Sequence, residues 1–274
     1  MKPNECVEKS KPYVPGKPLD VFLKEKGLSE CIKLDANENP LGCSSYVREV
    51  LDKHVIHRYP DGDASELKAM LASGYKLQPG NFIITPGSNH IIELVCRAYL
   101  KHGHKTITGK NTFSLYKIAT SRNGGELVET PIVAGKFNLK AMASSIDDKT
   151  DIAFICNPNN PTGVSHTREE IIEFLDHVPR KTLVVVDEAY VDFCEEYATV
   201  IDLIPRYSNL LVMRTFSKIF GLAGLRIGYA AARDNVISDL SRLLIPFSVS
   251  QAALVAAKAA LQDTEFLERS YRHV

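Results

Sequence analysis

From residue 82 onward the chain alternates short runs rich in Ile and Val with longer segments of helical period, and that alternation admits few folds. FIIT (82–85), KTIT (105–108), ELVET (126–130), IAFIC (152–156), LVVVD (183–187), LLVMRT (210–215) and IGYAA (227–231) are read as strands. Helices are predicted between and after them, over 64–75, 88–101, 112–122, 168–178, 234–244 and 249–262, the fourth opening on Thr167 and Glu170 at capping-box spacing. A strand apolar throughout has both faces buried, so these runs predict an α/β domain: a mostly parallel sheet with helices on both faces. In such sheets ligands gather at the carboxyl ends of the strands, which is where chemistry is sought.

The first 60 residues differ. Pro and Gly recur at 12, 15, 16, 18, 40 and 42, and the segment is expected to run as an arm over the surface. Lys plus Arg equals Asp plus Glu at 33 each, so no net field favours nucleic acid or an anionic membrane, and a small-molecule partner is the expectation. No run approaches the roughly 18 apolar residues of a membrane span, and the polar, Pro-rich start has no signal-peptide core, so a soluble, cytoplasmic chain is expected. The six cysteines, at 6, 31, 43, 96, 156 and 194, show neither C-x-x-C nor zinc spacing and read as scattered, mostly buried thiols. His102 and His104, with His54 and His57, lack a ligand set backed by a carboxylate, and no metal is expected.

Four segments carry candidate chemistry. TFSKIFGLAGLRIGY (215–229) sets Lys218 among Phe216, Ile219, Phe220, Leu222 and Leu225, and a lysine in apolar surroundings needs its charge compensated or removed. LVVVDEAYVDF places Asp187 at the mouth of a strand with Tyr190 three residues on; alone, such an Asp is a helix cap or a solvent-facing end, or else a carboxylate held at the ligand edge. CNPNNPTG (156–163) follows a strand and reads as a tight turn that also projects the Asn160 amide over the same edge. TPGSNH (85–90) leads a strand into a helix amino terminus, where free N–H groups and the helix dipole attract phosphate.

Taken together, in this order and spacing, these segments resemble the fold type I pyridoxal-phosphate enzymes, specifically the class I and II aminotransferases, from about Tyr13 to the last residue. PYVPGKP, LDANENPLG (34–42), HRYPDG (57–62), NPNNPTG, VDEAYVDF and RTFSKIFGLAGLRIGY look like the versions carried by the histidinol-phosphate aminotransferase subfamily, and very similar segments occur in threonine-phosphate decarboxylases. The resemblance implies pyridoxal 5'-phosphate as cofactor, amino-acid and keto-acid substrates, and a homodimer. It implies that Lys218 holds the cofactor as a Schiff base and then serves as the base, and that Arg226, Ser217, Thr215, Ser88 and Asn89 grip the phosphate. Asp187 would pair with the pyridine nitrogen, Tyr190 and Asn160 would bond the phenolic oxygen, and Phe113 would stack on the ring. Tyr59 would reach the partner's cofactor phosphate, Tyr13 would cover the substrate, and the small residues Gly221, Ala223 and Gly224 would let the backbone approach the cofactor.

Departures from the family pattern are His90, where an acidic residue is common, and Asn111, where proline is usual. The family also carries a small C-terminal domain with a substrate-binding arginine, too large for the 56 residues after Lys218. The expected organisation is an N-terminal arm and start of the small domain over 1–45, a large cofactor-binding domain over 46–262, and over 263–274 the beginning of a small domain that is largely missing. The expectation is an incomplete version of a longer chain; the other possibility is a shortened chain that binds cofactor without turnover.

Overall fold

A computed structural model describes residues 1–53, 56–195 and 199–274. In chain order these form α1 (Glu5–Lys9), α2 (Leu19–Lys26), α3 (Ser45–Leu51), α4 (Ser65–Tyr75), β1 (Phe82–Thr85), α5 (Ser88–Tyr99), β2 (Lys105–Gly109), α6 (Leu115–Arg122) and β3 (Glu126–Thr130). Then come β4 (Ile132–Val133), β5 (Lys136–Phe137), α7 (Leu139–Ser144), β6 (Thr150–Cys156), α8 (Arg168–His177), β7 (Leu183–Asp187) and β8 (Leu210–Thr215). The chain closes with β9 (Gly228–Ala232), α9 (Asp234–Ser241), α10 (Gln251–Ala260) and α11 (Thr264–His273).

All seven predicted strands join one sheet in the order β1-β9-β8-β7-β6-β2-β3. β2, β3, β6, β7 and β8 run parallel, whereas β9 is antiparallel to both neighbours. Every residue of β1, β6, β7, β8 and β9 is buried. Successive strand side chains point to opposite faces, so burial at every position means that both faces are covered. Thr167 and Glu170 form the reciprocal capping box that starts α8.

The predicted helices form with ends shifted by at most three residues. The largest shift at a helix start has a local cause. Asn111 adopts φ 51°, a conformation closed to proline, and the Thr112 hydroxyl donates to Asn159 Oδ1 at 2.7 Å, so α6 opens only at Leu115.

Residues 1–43 are largely exposed and α2 buries no side chain, but the first 60 residues do not run over the surface throughout: Ser44 and Val47 are buried, and the segment carries three helices, α1 to α3, that its Pro and Gly content obscured. The arm is pinned at its end: Asn39 donates to the Ile219 carbonyl and to the Ser270 hydroxyl of α11, both at 2.9 Å. The cysteine expectation is corrected: all six are free thiols, but only Cys96 and Cys156 are buried, and Cys31 is exposed.

Candidate active site

β6, β7 and β8 end side by side, and their register pairs Cys156 with Asp187 and Asp187 with Met213. The loops leaving them, with α5 and part of the arm, enclose a cavity of about 490 Å³. Its walls include Tyr13, Ser88, Asn89, Phe113, Asn160, Asp187, Tyr190, Thr215, Ser217, Lys218 and Arg226. Every residue singled out in the sequence as a site candidate lies on this cavity except Tyr59 and Gly221. Tyr59 stands apart on the surface, 83% exposed, its ring 4.9 Å from that of Phe247.

Lys218 is half-buried rather than enclosed by its apolar neighbours, because its side chain leaves them for the cavity. Its ammonium donates to the carbonyls of Ala36 (2.9 Å) and Asn37 (3.3 Å) and lies 5.4 Å from the Tyr190 ring centroid. Burial lowers its pKa, Glu38 pulls the other way, and Arg226 adds to the lowering.

Asp187 is 4% exposed at the end of β7. Its carboxylate accepts from the Tyr116 hydroxyl at 2.7 Å and from the Ala189 N–H at 3.1 Å. Burial pushes its pKa up to about 6, against the opposite pull of those donors and of the Lys218 charge. Tyr116 is fully buried, stacked on Phe154 at 4.7 Å and met edge-on by Phe113 at 5.8 Å. The Tyr190 hydroxyl accepts from Asn37 Nδ2 at 3.0 Å and Asn160 Nδ2 at 3.4 Å. The Asn160 backbone N–H points to Cys156 Sγ at 3.4 Å, which fixes the turn after β6.

At the other end of the cavity β1, β9 and β8 converge, with Thr85 and Thr215 both opposite Gly228. α5 starts here without a side-chain cap, leaving its first N–H groups to whatever lies at its end. Arg226, itself at φ 53°, bonds the Ala223 carbonyl (2.9 Å) and the Ser217 hydroxyl (3.4 Å). Two glycines make room: a Cβ at Gly228 would sit 2.6 Å from the Ser88 nitrogen, and one at Gly87 would sit 2.7 Å from the Arg226 guanidinium.

Ala223 and Gly224 line the cavity, but Gly221 does not; a Cβ there would fall 1.8 Å from the Gly42 carbonyl, so this glycine admits the arm rather than a cofactor. His90 is half-buried, and its Nε2 has no hydrogen-bond partner among the described residues. Among the described residues no three His, Cys, Asp or Glu side chains group as metal ligands; His104 instead pairs with Asp151 at 3.1 Å. His54 lies outside the described residues.

The sequence reading missed Asn37 and Tyr116. Both stand inside quoted segments, LDANENPLG and NTFSLY, but their partners lie 153 and 71 residues away in the chain.

This sheet, with a lysine, a buried carboxylate and an uncapped helix terminus beside an arginine on one cavity, defines an α/β enzyme of the aminotransferase type. The family description "Aminotransferase class I and II" matches residues 29–273, and the chain belongs to that family. A curated histidinol-phosphate aminotransferase of Bacillus subtilis subsp. natto is 39% identical over 272 residues, covering 97% of this chain and 76% of its own length. The histidinol-phosphate aminotransferase of Sinorhizobium meliloti, solved in complex with pyridoxal-5'-phosphate, shares the fold with TM-score 0.91 at 24% identity, over 98% of this chain and 73% of that one. The L-threonine-O-3-phosphate decarboxylase of Porphyromonas gingivalis follows with TM-score 0.75 at 27% identity, over 85% of this chain and 69% of that one. Among the described residues no helix is long and apolar enough to cross a membrane.

Proposed function

We propose that the chain is a histidinol-phosphate aminotransferase using pyridoxal phosphate: L-histidinol phosphate and 2-oxoglutarate give imidazole-acetol phosphate and L-glutamate. The reading of the chemistry rests on one observation, the Lys218 amine facing Asp187 and Tyr190 across a cavity whose far end is built for an anion. The choice of substrate rests on 39% identity along 97% of the chain.

The residues present fit such a cofactor. Asp187 is a buried carboxylate with hydrogen-bond donors but, among the described residues, no bonded cation, which suits a protonated ring nitrogen. The uncapped α5 terminus at Ser88 and Asn89, with Arg226, Thr215 and Ser217, suits a phosphate. When bound, pyridoxal phosphate takes up the amino group and its ring accepts the electron pair left at the substrate α carbon. Asp187 would keep the proton on the ring nitrogen. Tyr190, with Asn160 beside it, would hold the phenolic oxygen, and Phe113 would pack on the ring face. Nζ of Lys218 would take the proton from the substrate α carbon and return it to the cofactor carbon that carried the aldehyde; its lowered pKa keeps more of it in the basic form near neutrality. Asn160 and Tyr13 border the space left for substrate.

We infer a cytoplasmic homodimer in which Tyr59 completes the partner's phosphate site, with residues 46–262 as the cofactor-binding domain. Support for the dimer comes from Ile56, Tyr59, Ile245 and Phe247, large apolar side chains left exposed on one chain. The deciding experiment loads the purified chain with pyridoxal phosphate and offers L-histidinol phosphate with 2-oxoglutarate, or L-threonine phosphate alone. Glutamate formation from the first mixture is expected. Carbon dioxide release from the second, without glutamate from the first, would move the assignment to the decarboxylase.

A further inference from the structure

Behind the cavity, and not lining it, lies a second group of ionised side chains that the chemistry above does not use. Thr215 faces the cavity, so the preceding strand residue, Arg214, points to the opposite face of β8. Its side chain is 3% exposed. Nη2 bonds the Asp192 carboxylate, Nη1 bonds the Tyr75 hydroxyl, and Nε lies 4.0 Å from Glu188. Glu188, 1% exposed, also accepts from the Thr199 hydroxyl (2.7 Å) and the Val200 N–H (2.8 Å). The Tyr75 hydroxyl lies 2.8 Å from that of Tyr229.

Glu188 and Asp192 stand two residues either side of Tyr190. One guanidinium on β8 thus bonds the turn after the tyrosine whose hydroxyl enters the cavity and pairs at longer range with the carboxylate before it. The turn's own backbone bonds, Glu188 N–H to Met213 O (2.9 Å), Val191 N–H to Glu188 O (3.3 Å) and Phe193 N–H to Tyr190 O (3.1 Å), tie it to β8 only at its start. Buried ion pairs add little stability over apolar packing, since desolvation offsets their attraction, so a fork shared by two carboxylates is better explained by the geometry it imposes.

We propose that Arg214 is a positioning residue: by holding Glu188 and Asp192 together it fixes the 188–192 turn, and so the place of the Tyr190 hydroxyl at the cofactor's phenolic oxygen. This rests on the cofactor assignment made above.

The variants are Asp192→Asn and Arg214→Lys, each alone and combined with Tyr190→Phe. Asp192 is the partner nearest solvent, its side chain 21% exposed, so Asp192→Asn carries the test if Arg214→Lys fails to fold. Three quantities are read: the pH midpoint of the visible band of bound pyridoxal phosphate, amide exchange across 188–193 in the cofactor-free protein, and its thermal unfolding. A hydrogen-bond donor on the phenolic oxygen draws electron density from the conjugated system, so displacing it raises the midpoint. The expected result is an upward shift of about half a pH unit or more, a roughly threefold change in proton affinity, with faster exchange across 188–193. In the Tyr190→Phe background the shift disappears. A lower unfolding temperature with an unmoved midpoint, or a shift that persists without the Tyr190 hydroxyl, overturns the proposal while leaving the function standing. If the wild-type chain gives no visible band with pyridoxal phosphate, both fall.

Discussion

Asp187 and Glu188 are adjacent in the chain, both acidic and both buried, yet their surroundings are opposite. Glu188 lies beside a guanidinium and accepts a hydroxyl and a backbone N–H; burial raises its pKa as well, but here a cation is the first of the groups that oppose the rise. Asp187 has a phenol and a backbone N–H but, among the described residues, no bonded cation, and burial raises its pKa to about 6. A strand end sends consecutive residues to opposite faces, so one step along the chain separates a carboxylate completed by the fold from one left to be completed by a ligand. Burial alone therefore does not mark a functional acid; the missing counter-charge does.

The contrast can be tested in descending order of effect. Lys218 supplies the positive charge nearest the chemistry, and Lys218→Ala is expected to lower transamination on the order of 10³- to 10⁴-fold in an assay of glutamate formation, with little change in the unfolding of the cofactor-free protein. Asp187→Asn is expected to cost on the order of 10²- to 10³-fold in turnover while leaving the cofactor-free protein at least as stable, because an uncompensated buried charge is removed. A loss of stability in that variant would place Asp187 with Glu188 and break the comparison.

The pH dependence follows the same line. A carboxyl that ionises near 6 in the fold against an ordinary 3.8 contributes stability that is full below about pH 4 and is lost as pH rises through 6. Urea unfolding of the cofactor-free chain should show a loss of about 3 kcal/mol over that window that is absent from Asp187→Asn. Glu188→Gln should do the reverse of Asp187→Asn, costing about 1–3 kcal/mol of stability in the same assay with a smaller effect on turnover than that substitution. Smallest is Tyr116→Phe: removing a donor that stabilises the Asp187 carboxylate should raise the pH at which stability falls by about one unit.

Much of this arrangement was legible from the sequence. LVVVD and LLVMRT announced themselves because wholly buried parallel strands leave no polar alternation, and Thr167 with Glu170 marked a helix start by chemistry alone. The antiparallel sense of β9 was not legible, since IGYAA is equally apolar in either direction. The hairpin of β4 and β5 escaped notice because two residues per strand carry no period. Site residues stood out where they fell at strand ends, as Asp187 did. Tyr116 and Asn37 act through partners distant in the chain, and nothing local announces such a contact. Arg214 left a trace that could have been followed, a charged residue inside a six-residue buried strand.

The register that sets both Thr85 and Thr215 opposite Gly228 has a consequence for folding order. The end of the cavity proposed to take the phosphate is assembled from residues flanking β1, β8 and β9, and β9 lies between the other two in the sheet although it comes last of them in the chain. Until β9 inserts, β1 has no strand partner and Ser88, Ser217 and Arg226 have no common frame. Joining segments so far apart in sequence is a slow, late event in folding. Cofactor capture during refolding should therefore lag behind the appearance of secondary structure and keep time with protection of the β9 amides, making the ligand a clock for closure of the sheet.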